Sequence, residues 1–214
     1  MGTVSDPQFI RLAELTSATV ERYPLIEIQF SHEVSGVAFD KVRDGALDAS
    51  FYYGERSHPS VAGIALRDIT YRIVAPAAWK TRIQSATWRD IAGEPWIMTP
   101  PISTHHQLAS ALFREHRIAP TKVVEADQEI LVSSLVVSGL GMALMREDRA
   151  VEQASAGEVC LWQDVRLTTL LRFIYHQERE QDRVIRALVE ILVDLWKPQT
   201  VTRKPRSRMP AASP

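Results

Sequence analysis

Apolar residues recur along the chain with two different periods, one typical of helices and the other typical of strands. Apolar positions three and four residues apart predict amphipathic helices. These helices cover residues 5–24, 35–45, 103–118, 127–139 and 180–197, with shorter helical segments at 77–83 and 87–93. Runs of β-branched and aromatic residues bounded by turn residues predict strands. These strands cover residues 25–30, 47–54, 61–66, 68–76, 94–98, 120–126, 142–145, 159–165 and 168–176.

The residues at the ends of the predicted helices fit helix caps. Asp6, which precedes a proline, and the later residues Ser103 and Asp127 are predicted N-caps. Gly139 is predicted to supply a left-handed C-cap, and Gly141 a tight start to the following strand. These glycines come after a helix and before a strand. A dinucleotide-binding loop has the reverse order, so we do not expect nucleotide binding here.

The order of the predicted elements is that of two successive α/β units. The strand, helix and strand within residues 25–54 favour a parallel pair joined by a crossover helix. The chain is expected to enter the second unit near residues 74–77 and to return near residues 176–180. This predicts a discontinuous subdomain of residues 1–75 and 177–197 and a continuous subdomain of residues 76–176.

The composition describes a chain that can bury a core and that has no candidate membrane span. Of its 214 residues, 45% are hydrophobic, and no apolar run is long enough to cross a bilayer. The sequence does not open with a basic segment followed by an apolar stretch and a cleavage site. We therefore predict a cytoplasmic location.

Basic residues are concentrated at the end of the chain. Residues 198–214 contain Arg203, Lys204, Arg206 and Arg208 but no acid, whereas the whole chain has a formal net charge of −1. The remainder is therefore acidic, which argues against a nucleic-acid interface on the folded part. The tail is rich in proline and poor in apolar residues, so we predict that it is disordered. A nucleic-acid-binding role for the tail is the alternative.

The sequence offers little for an enzyme or a metal site. The single cysteine, Cys160, lies in an apolar strand and is expected to be buried as a small hydrophobe. The histidines show no metal-binding spacing, and the adjacent His105 and His106 are expected at the solvated start of a helix. There is no GxSxG motif, and Ser133 and Ser134 lie in mid-helix. We therefore predict no catalytic residue, no cofactor and no metal ion.

Polar residues gather at four predicted strand-to-helix junctions, which are the places where open α/β sheets bind ligands. The residues predicted to bind a ligand there are Ser5, Asp6, Ser31, Ser35, Thr99, Ser103 and Gln128. Helix N-termini carry unpaired N–H groups and a positive partial charge, which suits a carboxylate or another small anion. Taken singly, each residue is also explained as a helix cap. As a set, and together with the family resemblance described next, they favour a site.

Three segments carry a resemblance to a known family: ERYPLIEIQF (21–30), VRDGALDASF (42–51) and LVVSGLGMALM (135–145). Together they resemble the effector-binding domain of LysR-type transcriptional regulators, over residues 2–196. The resemblance implies an α/β fold of two Rossmann-like subdomains of the periplasmic-binding-protein type, with a small effector in the cleft between them. It also implies side-by-side antiparallel pairing, for which the helices at 35–44 and 127–138 are candidates.

Full-length members of that family begin with a winged helix-turn-helix and a long linker helix, and neither is found in these 214 residues. The chain is therefore expected not to bind operator DNA by itself. The resemblance implies a homodimer or tetramer that senses a small effector, and the predicted helix starts favour an anionic one. Two alternatives remain open, because fold alone does not fix function. One is a solute-binding protein of a transport system, and the other is an enzyme built on the same fold.

Overall fold

The computed structural model describes residues 1–4 and 6–197 and shows a mixed α/β fold. Its strands are β1 (Gly2–Thr3), β2 (Ser31–His32), β3 (Ala49–Tyr53), β4 (Val61–Pro76), β5 (Pro95–Met98), β6 (Thr121–Glu125), β7 (Ala143–Arg146) and β8 (Val159–His176). Its helices are α1 (Leu12–Arg22), α2 (Ser35–Arg43), α3 (Lys80–Gln84), α4 (Trp88–Ala92), α5 (Thr104–Glu115), α6 (Glu129–Val137), α7 (Glu147–Ser155) and α8 (Arg183–Trp196). Within the described ranges, no helix is both long and apolar enough to cross a membrane.

Two long strands run through the centre of the molecule. β4 has 16 residues and β8 has 18, and they pair antiparallel from Val61 opposite His176 to Pro76 opposite Val159. The register shifts at two places, once between Ala65 and Arg67 and once between Arg72 and Val74. Such irregularities bend a strand and increase its twist. The pair therefore continues across the molecule while changing direction.

The other elements gather at the two ends of this strand pair. The six-stranded sheet has the order β2-β1-β3-β8-β4-β7, so β3 attaches at one edge of the pair and β7 at the other. We call β1, β2, β3, α1, α2 and α8 the N-terminal group. We call β5, β6, β7 and α3 to α7 the central group. In the central group, β5 pairs in parallel with β6, and Trp96 of β5 bridges to Met142, just before β7.

One large core cluster extends through both groups. It joins Leu15 and Leu188 of the N-terminal group to Trp96 and Phe113 of the central group, and all four are buried. A second cluster lies beneath α6 and α7, and a third beneath α2. Cys160 is buried next to β4, as predicted, and its thiol donates to the carbonyl oxygen of Pro76 at 3.3 Å.

The predicted terminal helix is confirmed as α8. It packs against α1 and β4 and buries Ile185, Leu188, Ile191 and Leu192 on one face. The side chain of Asp182 caps this helix by accepting the N–H groups of Val184 at 2.8 Å and Ile185 at 3.3 Å. These bonds satisfy two of the N–H groups that a helix start leaves unpaired.

Several predicted boundaries were wrong. Asp6 does not cap α1, because Arg11 adopts a left-handed conformation and the helix begins only at Leu12. Gln128, rather than Asp127, occupies the N-cap position of α6. Residues 25–30 form no ladder comparable to the predicted strand: only Ser31–His32 pairs, since β1 offers only Gly2 and Thr3 as partners.

Two further features differ from the prediction. The two β runs at 61–66 and 68–76 are one strand, because Leu66 is absorbed as a bulge. The segment after β7 forms α7, for which we predicted no helix; most of its residues are polar and Ala150 is its one buried residue, so no apolar run marks it in the sequence. Gly139 does adopt a positive φ of 91°, as a left-handed cap requires. The predicted disordered tail, 198–214, lies outside the described residues.

We predict that Asp182→Ala lowers the free energy of unfolding by about 1 kcal/mol, because the first turn of α8 loses its capping oxygen. Asp182→Asn keeps an acceptor at the same position and should lose less than half of that. Urea unfolding of the three proteins measures both values. Equal losses in the two variants would mean that the nearby Arg179 ion pair, rather than the cap, supplies the stabilisation.

Candidate functional site

A small cavity of about 60 Å³ lies where the N-terminal group meets the central group. Its lining comes from several strand ends and helix starts, as expected for an open α/β sheet. The lining residues are Val4, Val34, Ser35, Tyr53, Tyr71, Thr99, Ser103, His105, Asp127, Glu129, Val132 and Leu144. Ligand pockets commonly measure about 300–1,000 Å³, so the two groups are closed on each other in this conformation.

Close backbone packing holds the two groups together at the cavity. A Cβ atom on Gly36, in the first turn of α2, would lie 2.2 Å from the carbonyl oxygen of Ile102. Only glycine permits that approach, which brings the start of α2 against the turn before α5. The hydroxyl of Thr104 also donates to the carbonyl oxygen of Tyr53, at the end of β3. Both contacts connect the N-terminal group to the central group.

Three of the predicted ligand-binding residues come together in this cavity. Ser35 lies at the start of α2, Thr99 follows β5, and Ser103 is the N-cap of α5; all three are buried. Asp127, from the fourth predicted junction, also lines the cavity but is exposed. The diproline turn between Thr99 and Ser103 holds their two hydroxyl oxygens 2.6 Å apart.

The other predicted residues are not in the cavity lining. Asp6 accepts the N–H of Gln8 and forms an ion pair with Arg149 at 3.1 Å. Ser31 lies in β2 and lines a separate surface depression. Gln128 is exposed and makes no side-chain cap bond. Ser5 lies outside the described residues.

A directional chain of hydrogen bonds runs along one wall of the cavity. His105 Nε2 lies 3.0 Å from the carbonyl oxygen of Leu144, which can only accept, so Nε2 carries the proton. In the neutral ring, Nδ1 then accepts from the Thr99 hydroxyl at 3.1 Å. Thr99 in turn accepts from Ser103, whose oxygen accepts the backbone N–H of His106. Both hydroxyl hydrogens are therefore used within the protein.

His105 is not at a solvated helix start, as the sequence had suggested, but in the cavity wall. Its ring packs edge-on against Tyr71, with 5.2 Å between the ring centroids. Burial, with a smaller contribution from His106, lowers the pKa of His105 from 6.5 to about 4, while the bond to Leu144 opposes the shift. Burial also raises the pKa of Tyr71 well above its usual value. Both groups are neutral at physiological pH.

An acidic cluster forms the wall at the start of α6. Glu129 Oε2 accepts from Arg146 at 3.0 Å, and Arg146 also binds Asp148 at 2.6 Å. The guanidinium of Arg146 lies 3.5 Å from the ring centroid of Phe9, in the turn before α1. Burial raises the pKa of Glu129, and the charge of Arg146 opposes that rise. Arg146 therefore links the cavity wall to the N-terminal group.

Sequence reasoning missed most of the aromatic and titratable residues of the cavity. Tyr53 and Tyr71 are strand residues whose apolar pattern indicated only burial, and Glu129 looked like an ordinary residue of a first helical turn. The signal that could have located Tyr53 and Tyr71 was the presence of side chains with a polar hydroxyl inside strongly apolar strands. No group of three or more histidine, cysteine, aspartate or glutamate residues within the described ranges could hold a metal ion.

The sequence matches the family described as "LysR substrate binding domain" over residues 1–197. The chain belongs to this family. The predicted fold class is thereby confirmed, since the mixed α/β architecture is that of the periplasmic-binding-protein-like LysR domains.

Individual relatives of the LysR family show how far the similarity extends. HTH-type transcriptional regulator CbbR of Rhodospirillum rubrum is 22% identical over 162 residues, covering 75% of this chain and 53% of CbbR. The chain thus spans about half the length of that relative.

Two solved LysR-family structures share the fold. One is the Synechocystis PCC6803 CcmR regulatory domain in complex with 2-PG. It is 11% identical in sequence, the match covers 92% of this chain and 96% of that chain, and the TM-score is 0.75. The other is the effector binding domain of QuiR in complex with shikimate, with 14% identity, coverage of 92% and 95%, and a TM-score of 0.73. At these identities the likeness shows the fold alone.

We predict that the buried, neutral His105 makes this LysR domain sensitive to acid. A histidine whose folded pKa is lowered has no effect on stability above its unfolded pKa of 6.5, but below that pH the unfolded chain takes up a proton that the folded protein does not, so stability falls as the pH approaches 4. Between pH 7.5 and pH 5 the expected loss is up to about 2 kcal/mol. Urea unfolding at both pH values measures it, with His105→Gln as the comparison. The same pH dependence in the variant would remove His105 as the cause.

Proposed function

We propose that this domain binds a small effector in the cavity between its two groups and thereby regulates transcription. The supporting observation is the convergence of Ser35, from the start of α2, and of Thr99 and Ser103, from the junction before α5, on one partly enclosed cavity. Regulation requires a DNA-binding helix-turn-helix, whereas the family match over residues 1–197 is to the substrate-binding domain. The domain acts in the cytoplasm and binds its effector without catalysis.

The size of the cavity determines how an effector can enter it. A cavity of about 60 Å³ holds only a few water molecules, so a larger effector enters by separation of the two groups. We propose residues 1–75 with 177–197 as one moving subdomain and residues 76–176 as the other. The contacts of α8 with α1 and β4 support this division. One of the two register shifts between β4 and β8, at Arg72–Val74, lies next to the crossing at residue 75.

We predict that Ser103→Ala weakens effector binding by about 0.5–3 kcal/mol, the range for a lost hydrogen bond. A thermal-shift screen identifies the ligand first, because binding to the native state raises the melting temperature. The screen includes shikimate, 2-PG, small hydroxy acids, amino acids and aromatic acids. Calorimetric titration then compares wild type with Ser103→Ala.

Thr87→Ala is the matched control for this substitution. Thr87 caps α4 with the same kind of hydroxyl bond, but it does not line the cavity. Both variants should lose about 1 kcal/mol of stability, whereas only Ser103→Ala should lose affinity. Equal dissociation constants in all three proteins would take Ser103 out of the site. A screen without any ligand would count against the proposed function.

We also propose that the domain forms a homodimer through α6. Large apolar side chains exposed on or beside this helix are Ile130, Leu131, Val137 and Leu140. Exposed apolar groups in such number favour a protein contact. The other candidate helix, α2, is less suitable, because its apolar residues Ala38, Phe39 and Val42 are buried within the chain. A larger assembly, a tetramer, is compatible with the same contact.

We predict a dimer in light scattering at tens of micromolar, and an at least tenfold weaker dimer for Leu131→Glu, which places a charge on the contact. Val193→Glu is the control, since Val193 is similarly exposed but lies on α8. A wild-type monomer at these concentrations would contradict the proposal. Equal weakening by both substitutions would place the contact elsewhere.

A further inference from the structure

The polar groups of the cavity are arranged to accept hydrogen bonds. Thr99 and Ser103 both line it, and each has already donated its hydroxyl hydrogen, to His105 and to Thr99 respectively. A hydroxyl has one donor and two acceptor positions. What remains on each oxygen is a lone pair. A carboxylate or phosphate has only lone pairs of its own, so it gains no hydrogen bond from these two residues.

Glu129 adds a charged acceptor to the same cavity. Its Oε2 binds Arg146, but its Oε1 is buried and has no hydrogen-bond partner among the described residues. A buried polar atom without a partner destabilises the protein. A ligand that donates a hydrogen bond to Oε1 removes that cost. Glu129 therefore lines the cavity and also indicates that the ligand supplies a hydrogen-bond donor.

The charge around this wall is unbalanced. Two arginines, Arg146 and Arg149, face the carboxylates of Asp6, Glu129 and Asp148, which they bind directly. Asp127 also lines the cavity and forms no ion pair with a described residue. None of the described lining residues is a lysine or an arginine. The wall thus has more carboxylates than cations, and an anionic ligand group would be repelled there.

We propose that the effector carries an ammonium group, which donates to Glu129 Oε1 and to the lone pairs of Thr99 and Ser103. This inference rests on the proposed function, since it names the ligand class of the same cavity. It replaces the expectation of a simple anion, which considered only the helix starts. The rings of Tyr53 and Tyr71 also line the cavity, and aromatic rings tolerate ammonium groups well.

A carboxylate on the same effector would have a different place to bind. Ser35 is the remaining predicted hydroxyl of the cavity, and it stands at the start of α2, where the N-cap residue Val34 supplies no side-chain cap to the backbone N–H groups. An amino acid, with one group of each charge, matches both parts of the lining. Among small metabolites, we therefore expect amino acids to bind in preference to hydroxy acids of the same carbon skeleton.

Matched pairs of compounds test this inference. The probes are L-alanine with L-lactate, L-serine with glycerate, 4-aminobutyrate with 4-hydroxybutyrate, and L-glutamate with 2-hydroxyglutarate. Each pair differs only in an ammonium group or a hydroxyl group. Thermal shift finds the pair that binds, and calorimetry gives both dissociation constants. We expect the amino member of that pair to bind at least tenfold more tightly.

Two variants of the domain complete the test. Glu129→Gln removes the negative charge from the cavity and should abolish the tenfold preference. Asp148→Asn removes a carboxylate from the same arginine, but Asp148 does not line the cavity, so this variant should keep the preference. Melting temperatures of both free variants show that they fold. Loss of the preference in both variants would overturn the direct role of Glu129.

The remaining outcomes separate this inference from the proposed function. If hydroxy acids, shikimate or 2-PG bind and Ser103→Ala weakens them, the cavity is an effector site and the ammonium inference is overturned. If an amino acid binds equally well to wild type and Glu129→Gln, the inference is also overturned. If no member of any pair binds at 10 mM, amino acids of this size are excluded as effectors.

Discussion

The antiparallel pairing of β4 with β8 is the constraint on which the rest of the structure depends. These two strands run between the two groups and pair with β3 of the N-terminal group and β7 of the central group, so they hold the groups together. β3 and β7 attach at opposite edges of the pair, and the helices α2, α3, α6, α7 and α8 pack on the sheet that results. The cavity exists because two sets of strand ends meet across this shared pair. A large-to-small change such as Phe173 to alanine would disturb both groups together, because one core cluster continues through them.

The sequence specified the elements that have strong local signals. α8 was predictable because its buried residues recur at helical spacing, and α5 because Ser103 is a competent cap. The failures came from tertiary constraints. Residues 25–30 have a strand pattern but lack a long partner strand, and α7 is mostly polar, so no apolar run marks it. The single long strand β4 looked like two strands because the bulge at Leu66 interrupts its alternation.

The sequence predicted the position of the candidate site better than it predicted the chemistry of the site. The strand-to-helix rule located Ser35, Thr99 and Ser103, because it concerns backbone geometry that local sequence can report. It could not show the direction of the hydroxyl hydrogens, which the carbonyl oxygen of the distant Leu144 determines by fixing the proton on His105. Nor could it separate Glu129, which faces the cavity, from Gln128, its exposed neighbour. A shift of one residue at a helix start decides between these two environments.

Arg146 has a consequence that reaches beyond the cavity. It binds Glu129 on the cavity side and stacks on Phe9 of the N-terminal group on the other side. A ligand that draws Glu129 away from Arg146 changes the contact with Phe9, and thermodynamic linkage makes the effect reciprocal. A substitution at Phe9 can favour one arrangement of the two groups over the other. It then changes the ligand affinity by the same factor by which ligand binding shifts the balance between those arrangements. The concentration at which the domain responds can therefore be tuned through a residue that lies outside the cavity lining.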